Sequence, residues 1–315
     1  MKTLIKRIVV LFFAAFLVAG SGAPDGWGET GHRSSTRGRN LEGVMDVNGA
    51  IRTFRVHLPP GLNGTSPVPL VIVLHGGGGN GVNAEIMTGF SEKADREKFI
   101  VVYPDGSGFL RTRLLTWNSG NCCGYALAHR IDDVGFISRL IDKMSADFAV
   151  DRKRVFVTGM SNGAMMAHTL ACRLPDKIAA IAPVAGALNV PDCAPSSPVA
   201  ALIIHGTEDR HVLYGGGRPL QRVDKHDRVD APVRYGFSFW GEANRCNPPV
   251  IRNESGRIIR EHYSDCPGKR DVVLYTIAGG GHVWPQGRSN GAKADDGENF
   301  SATDVIWDFF KSHGR

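Results

Sequence analysis

The chain has 315 residues, of which 42% are hydrophobic and 22% charged, and its formal net charge is +6. These proportions are ordinary for a globular protein that buries a core, and the length suits one large domain or two small ones. The basic residues are scattered along the chain and are not interleaved with aromatic residues. The sequence therefore argues against a nucleic-acid-binding site.

The first 23 residues have the order of segments that marks a secretory signal peptide. Basic residues precede an apolar run from Ile8 to Gly20, and small residues follow up to Ala23. That run is shorter than the roughly 20 residues that a membrane-spanning helix needs. We expect cleavage near Gly20 to Ala23 and a secreted protein, extracellular or periplasmic, with no stable membrane anchor after cleavage. An uncleaved anchor is the alternative.

Six cysteines in a chain bound for an oxidising compartment predict disulfides. They are Cys122, Cys123, Cys172, Cys193, Cys246 and Cys266. Short spacings favour the pairs Cys172–Cys193 and Cys246–Cys266, each closing a loop of about 20 residues. The two adjacent cysteines would form a vicinal pair or remain as thiols, and the sequence leaves the connectivity open.

Residues 24–42 are polar, glycine-rich and without periodicity, which predicts a flexible leader before a single domain over residues 43–315. Within the domain, short apolar runs predict strands, and segments with helical spacing predict helices. The predicted strands are Ile51–Leu58, Leu70–Leu74, Ile100–Tyr103, Arg154–Gly159, Ile178–Val184, Val199–Ile204 and Val272–Ile277. The predicted helices are Ala84–Lys98, Asp132–Phe148, Gly163–Leu174, Ala231–Asn244 and Thr303–Lys311.

Strands that alternate with helices predict an α/β fold, with a mostly parallel central sheet and helices on both faces. The segment Leu213–Lys269 breaks the alternation with polar pieces that contain proline and glycine. We interpret it as an insertion over one end of the sheet and not as a second domain.

Four polar or glycine-rich segments each follow a predicted strand. They are His75–Gly81 (HGGGGNG), Gly159–Gly163 (GMSNG), His205–Val212 (HGTEDRHV) and Gly279–Pro285 (GGGHVWP). Because the carboxyl ends of parallel strands form the ligand face of such a sheet, we expect these segments to meet there.

These segments supply a serine, a carboxylate and a histidine in the chain order of the α/β-hydrolases. Ser161 lies between two glycines that permit a sharp strand-to-helix turn. A serine hydroxyl needs a base within hydrogen-bond reach, and the base needs a partner that orients it. We assign these roles to His282 and Asp209. The oxyanion donors are then the backbone N–H groups of Asn162 and of the glycine loop, at Gly77.

Each assignment has competitors. Ser161 would otherwise be the N-cap of a helix. Asp209 competes with Glu208 and Asp192, and we prefer it because a short loop separates it from its strand. His282, in a glycine-rich loop, competes with three other histidines, which are His168, His205 and His211. Trp117 and Trp284 are candidates for the acyl or alcohol pocket, with simple packing as the alternative.

Several stretches together resemble the polyhydroxybutyrate depolymerase and feruloyl esterase-like family of secreted α/β-hydrolases. They are LHGGGGNG, WNSGNCCGYA, DDVGFI, VFVTGMSNGAMMA, IAAIAPVAGAL, IIHGTEDRHV and GGGHVWP, in order between Gly43 and Arg315. The resemblance implies an α/β-hydrolase fold, with the family's serine, acid and histidine at Ser161, Asp209 and His282. It implies short polyesters, feruloyl or acetyl esters on plant polysaccharides, or simple acyl esters as substrates.

We therefore predict a secreted serine carboxylic-ester hydrolase that acts on an ester substrate without a cofactor. The sequence contains no C-x-x-C or H-E-x-x-H motif, so we predict no metal site. Two alternatives remain: a serine peptidase of prolyl-oligopeptidase type, and a non-catalytic protein that binds polysaccharide or polyester.

Overall fold

One sheet of eleven strands organises the chain in a computed structural model. The structure describes residues 27–30, 38–221, 227–289, 292–293 and 300–315. The predicted signal peptide lies outside the described residues.

The described strands fall at the predicted places and at several others. They are β1 (Trp27–Thr30), β2 (Arg39–Val47), β3 (Ala50–Leu58), β4 (Val68–Leu74), β5 (Ile100–Pro104), β6 (Val150–Met160), β7 (Ala180–Val184), β8 (Ala200–Gly206), β9 (Asn247–Ser255), β10 (Ile258–Asp265), β11 (Val272–Ile277), β12 (Arg288–Ser289) and β13 (Ala292–Lys293). The last two form a separate short hairpin.

The centre of the large sheet is parallel. Its strand order is β1-β2-β3-β5-β4-β6-β7-β8-β11-β10-β9, and the six strands from β5 to β11 in that order run in the same direction. Antiparallel strands extend both edges. Strands such as β5, β7 and β8 are buried along their whole length, as continuous apolar runs in a parallel sheet require.

Helices cover both faces of the sheet, which confirms the predicted fold class. They are α1 (Gly81–Thr88), α2 (Phe90–Glu97), α3 (Gly124–Ala128), α4 (Asp133–Asp147), α5 (Asn162–Arg173), α6 (Val233–Ala243) and α7 (Ala302–Ser312). One core contains apolar side chains of α4, α5 and α6, and a second core contains those of α1, α2 and α7. In the described part of the chain, no helix is both long and apolar enough to cross a bilayer.

The prediction of a flexible leader up to residue 42 is wrong where the structure describes that segment. Strand β1 pairs antiparallel with β2, and β2 already begins at Arg39. Buried Leu41, Met45 and Val47 alternate with more exposed neighbours along β2, which is the pattern of a strand with one face on the core. The polar residues around it hid this alternation. Residues 24–26 and 31–37 lie outside the described residues.

The helix predicted over Ala84–Lys98 is two helices, α1 and α2. Gly89 separates them with φ 64° and ψ 23°, and its N–H donates to the Glu85 carbonyl. Glycine adopts this left-handed conformation without steric penalty and therefore ends helices. The apolar spacing continued through the break, so periodicity alone could not locate it.

The insertion Leu213–Lys269 is partly built into the sheet. Strands β9 and β10 form a hairpin that pairs antiparallel with β11, beyond the parallel centre. Helix α6 adds Phe237 and Trp240 to the core on the α5 face. The insertion therefore lengthens the sheet, where the sequence pattern predicts that it lies over one end.

The disulfide pairs Cys172–Cys193 and Cys246–Cys266 are as predicted. The first joins α5 to the segment after β7, and the second joins the end of α6 to the end of β10. The adjacent Cys122 and Cys123 pair with each other. Of the two alternatives for these residues, the vicinal pair is therefore the one found.

We predict that the double substitution Cys246→Ser and Cys266→Ser lowers the free energy of unfolding by about 3 kcal/mol, because the released loop of about 20 residues gains entropy in the unfolded chain. Denaturant unfolding of the purified variant measures the change. The matched control is Cys172→Ser with Cys193→Ser, which releases a loop of similar length and should be destabilised to a similar degree. Equal unfolding midpoints for the first variant and the wild type, or free thiols at residues 246 and 266 in non-reduced peptide maps, would contradict this.

Candidate active site

Ser161 occupies the sharp turn between β6 and α5. Its backbone has φ 58° and ψ −120°, a strained conformation for a residue other than glycine. Two glycines let this turn press against the end of β4. A Cβ atom on Gly163 would lie 2.5 Å from the Leu74 carbonyl oxygen, and one on Gly159 would lie 2.7 Å from it. Larger residues at either position would push the turn away from β4, so the glycines hold Ser161 at the carboxyl edge of the sheet.

Asp209 lies buried in the loop after β8 and accepts several hydrogen bonds. The backbone N–H groups of His211 and Val212 donate to Oδ1 at 2.8 and 2.9 Å, and Oδ2 is 2.7 Å from Nδ1 of His282 and 3.3 Å from Nε2 of His205. Burial opposes ionisation of this carboxyl. The bonds from His205, His282 and Val212 outweigh burial and hold the pKa of Asp209 well below its ordinary value.

His282 follows three glycines at the end of β11. Because its Nδ1 faces the ionised Asp209, the bonding network assigns the proton to Nδ1 and leaves Nε2 free to accept. Its side chain is 16% exposed, whereas that of Asp209 is fully buried. His282 and Ser161 line the same cavity.

The competing residues occupy other places. Glu208 and Asp192 are exposed, whereas the carboxylate hydrogen-bonded to His282 is that of Asp209. His205 is buried beneath Asp209, with Nε2 2.8 Å from the Val212 carbonyl oxygen. His168 is buried in α5, where it accepts from the Trp240 indole and burial lowers its pKa to about 3. Of these competing residues, only His211 also lines the cavity.

Gly77 and Asn162 both line the cavity beside Ser161. Asn162 is the first residue of α5, so its backbone N–H has no acceptor within the helix. In the glycine loop, Gly78 and Gly79 donate to the carbonyls of Leu115 and Gly76. Gly77 has no backbone acceptor in the described part of the chain. These two backbone N–H groups therefore have no backbone acceptor of their own among the described residues and lie at the Ser161 cavity.

The side chain of Asn162 binds the segment after residue 116. Its Oδ1 accepts from the Trp117 backbone N–H at 2.7 Å, and its Nδ2 donates to the Trp117 carbonyl at 3.0 Å and to the Ser119 hydroxyl at 2.9 Å. The Trp117 indole in turn donates to the His75 carbonyl at 3.0 Å. The glycine loop, the start of α5 and the Trp117 segment are thus joined by buried hydrogen bonds.

Neither predicted pocket tryptophan lines the cavity. Trp117 is fully buried in the core beside His75. Trp284 is 2% exposed, packs edge-on against Phe90 and donates to the Thr303 hydroxyl. Both indoles find hydrogen-bond partners inside the protein, so the prediction that they contact substrate is corrected to a packing role.

The cavity at Ser161 has a volume of about 460 Å³. Apolar side chains and glycines make up most of its wall, and one arginine and two histidines also reach it. The residues around it are Gly76, Gly77, Gly78, Met87, Leu114, Thr116, Cys123, Gly124, Tyr125, Met160, Ser161, Asn162, His211, Arg228 and His282.

Several of these wall residues were not singled out by sequence reasoning. Met87, Leu114, Tyr125 and Arg228 come from four separate segments, and of these only Tyr125 stands in one of the stretches that carry the family resemblance, WNSGNCCGYA. Only the fold brings them together. No cluster of three or more potential ligands that could hold a metal ion occurs among the described residues.

Known proteins resemble this chain in sequence. Feruloyl esterase B of Piromyces equi is 32% identical over 242 residues, which are 75% of this chain and 44% of that protein. Poly(3-hydroxyalkanoate) depolymerase C of Paucimonas lemoignei is 28% identical over 266 residues, which are 78% of this chain and 61% of that protein. The chain thus spans less than two thirds of the length of each.

An acetyl xylan esterase from Aspergillus awamori has a similar fold, with a TM-score of 0.58 over 82% of this chain and 94% of that one. The two are 16% identical, so the likeness concerns the fold alone. The sequence profile described as Esterase PHB depolymerase matches residues 52–209, about half of the chain. The match includes the glycine loop, Ser161 and Asp209. The chain belongs to the esterase PHB depolymerase family.

Proposed function

We propose that the chain is a serine carboxylic-ester hydrolase, with Ser161 as nucleophile, His282 as base and Asp209 as the residue that orients the base. The observation that carries this proposal is the 2.7 Å contact between Asp209 and His282, beside a cavity that Ser161 shares with His282. The names of the relatives, which are esterases and a depolymerase, support an ester as the substrate.

In the first half of the reaction, Nε2 of His282 accepts the Ser161 proton as the hydroxyl attacks the ester carbonyl carbon. The oxygen of the tetrahedral intermediate receives hydrogen bonds from the N–H groups of Gly77 and Asn162. The ionised Asp209 stabilises the imidazolium that forms. His282 then gives its proton to the leaving alcohol, and the acyl group remains on Ser161.

In the second half, a water molecule replaces the alcohol. His282 removes a proton from this water, which attacks the acyl carbonyl, and the same two N–H groups stabilise the second intermediate. Return of the proton to Ser161 releases the acid. Each proton that His282 takes is thus given back within one turnover.

The substrate classes that fit are short polyesters, feruloyl esters and simple acyl esters. A largely apolar cavity of about 460 Å³ suits an acyl group larger than acetyl. We also propose that the protein is secreted, since residues 1–23 have the signal-peptide pattern and the disulfides fit an oxidising compartment.

We predict that Ser161→Ala lowers kcat by about 10⁶ while the fold is retained, because the reaction loses its nucleophile. The measurement uses p-nitrophenyl acyl esters, methyl ferulate, acetylated xylan and hydroxybutyrate oligomers, with circular dichroism to check folding. The matched control is Ser145→Ala on α4, where the hydroxyl donates to the Ile141 carbonyl. A folded Ser161→Ala variant that keeps more than about a hundredth of the rate would remove the nucleophile assignment.

We expect Asp209→Asn and Glu208→Gln to have very different effects on kcat, although the two residues are adjacent. The amide at residue 209 favours the wrong His282 tautomer, and we expect kcat to fall by about 10⁴. The exposed Glu208 should tolerate its amide with little change. Initial rates with one p-nitrophenyl ester test this directly. Equal losses in the two variants would leave Asp209 without a special role, and the reverse order would transfer that role to Glu208.

A further inference from the structure

Arg228 is an unusual member of the cavity wall. Its side chain is 11% exposed, and it lies in a wall that is mainly apolar. A charge is costly to bury unless it is paired. The partner is Asp230, which is fully buried and lies with Oδ1 2.8 Å from Nε of Arg228. The proposed reaction steps use neither residue.

The surrounding contacts fix the guanidinium in one place. Nη2 donates to the His211 carbonyl at 2.7 Å, and Nη1 lies 3.3 Å from the Cys122 sulfur and 3.7 Å from the Cys123 sulfur. Asp230 is held in turn by Nδ2 of Asn189 at 2.7 Å. A planar group held in this way is pre-organised to donate in a defined direction.

Some N–H groups of the Arg228 guanidinium remain available to donate to a bound molecule. Arginine has five N–H groups. Among the described residues, the one oxygen that accepts a hydrogen bond from Arg228 is the carbonyl at Nη2; Nε forms an ion pair with Asp230 but no hydrogen bond, and Nη1 faces sulfur, a weak acceptor. Within the described ranges, the second N–H of Nη2 and those of Nη1 therefore have no strong acceptor, and Arg228 lines the Ser161 cavity.

Two observations indicate what this donor would bind. Asp230 already balances the charge of Arg228, so a neutral oxygen acceptor fits better than a further buried carboxylate. The Cys122 sulfur that contacts Arg228 also lies 3.8 Å from Nδ2 of Asn162, whose backbone N–H is the proposed oxyanion donor. Arg228 and the Asn162 side chain thus contact the same sulfur atom, and this brings Arg228 close to the residue that supplies a proposed oxyanion donor.

We infer that Arg228 is a specificity-determining residue that donates a hydrogen bond to a neutral oxygen on the acyl chain, beyond the reacting ester. The inference rests on the proposed function. A hydroxyl, methoxyl or second ester oxygen would serve as the acceptor. A plain acyl chain of the same length would leave the buried N–H groups of Arg228 unpaired, and this disfavours its binding.

The test compares pairs of esters in which one member carries oxygen substituents on the acyl group that the other lacks. One pair is p-nitrophenyl 3-hydroxybutanoate and p-nitrophenyl butanoate, and a longer pair is methyl ferulate and methyl cinnamate. The quantity measured is the ratio of kcat/KM within each pair. In Arg228→Met with Asp230→Asn, which removes the cation and its carboxylate together, we expect this ratio to fall by about 10- to 100-fold in at least one pair, as expected for a lost hydrogen bond to a charged donor.

Two further variants keep the test decisive in case the double variant does not fold. Asp230→Asn alone keeps the guanidinium but removes its carboxylate partner, so its ratio should fall less than that of the double variant. Arg228→Lys keeps the charge opposite Asp230 but loses the planar fork, so its ratio should fall. If the double variant does not fold, the kcat/KM ratio of Arg228→Lys within each ester pair tests the inference in its place.

Unchanged ratios in both pairs would overturn the inference, whether or not the absolute rates fall, because Arg228 would then act only on structure. A loss seen only when the oxygen is on the alcohol, tested with acetyl esters of butanol and of 1,3-butanediol, would also overturn it. These outcomes leave the ester hydrolase proposal intact. Absence of hydrolysis of any ester by the wild-type protein would instead contradict that proposal.

Discussion

The close approach of the Ser161 turn to the end of β4 is the constraint on which the rest of the site depends. Gly159 and Gly163 permit it, since a Cβ atom at either position would meet the Leu74 carbonyl oxygen. The approach places the backbone N–H at the start of α5 beside the glycine loop that follows β4. It also requires a strained backbone at Ser161, which the parallel pairing of β4 with β6 holds in place.

Buried hydrogen bonds turn this approach into a rigid unit. Asn162 is bound to Trp117 through both backbone groups, and Trp117 is bound to the carbonyl of His75. His75 accepts at Nε2 from the Gly106 N–H, and burial lowers its pKa to about 4, so it stays neutral in neutral solution. In the proposed reaction, donors fixed in this way stabilise a developing oxyanion without rearranging.

Sequence patterns predicted the parallel centre of the sheet because each of its strands is a short apolar run, and they predicted the contact of Asp209 with His282 because each residue closely follows its strand. They misplaced the start of the sheet, because the one-sided alternation of apolar residues in β2 is a weaker sequence signal for a strand than a continuous apolar run. They left Trp117 and Trp284 open between the cavity and simple packing, and both side chains are buried. Arg228 stood in no motif, and only tertiary packing brings it to the wall.

The central claim is that Ser161 is an activated nucleophile, and labelling with a fluorophosphonate tests it most directly. The reagent is incubated with the purified protein, and the adduct is located by mass spectrometry of proteolytic peptides. The account predicts one adduct per chain, on Ser161, with much slower labelling when Asp209 is replaced by asparagine. No adduct in the folded protein, or an adduct on another serine while Ser161 stays unmodified, would contradict it.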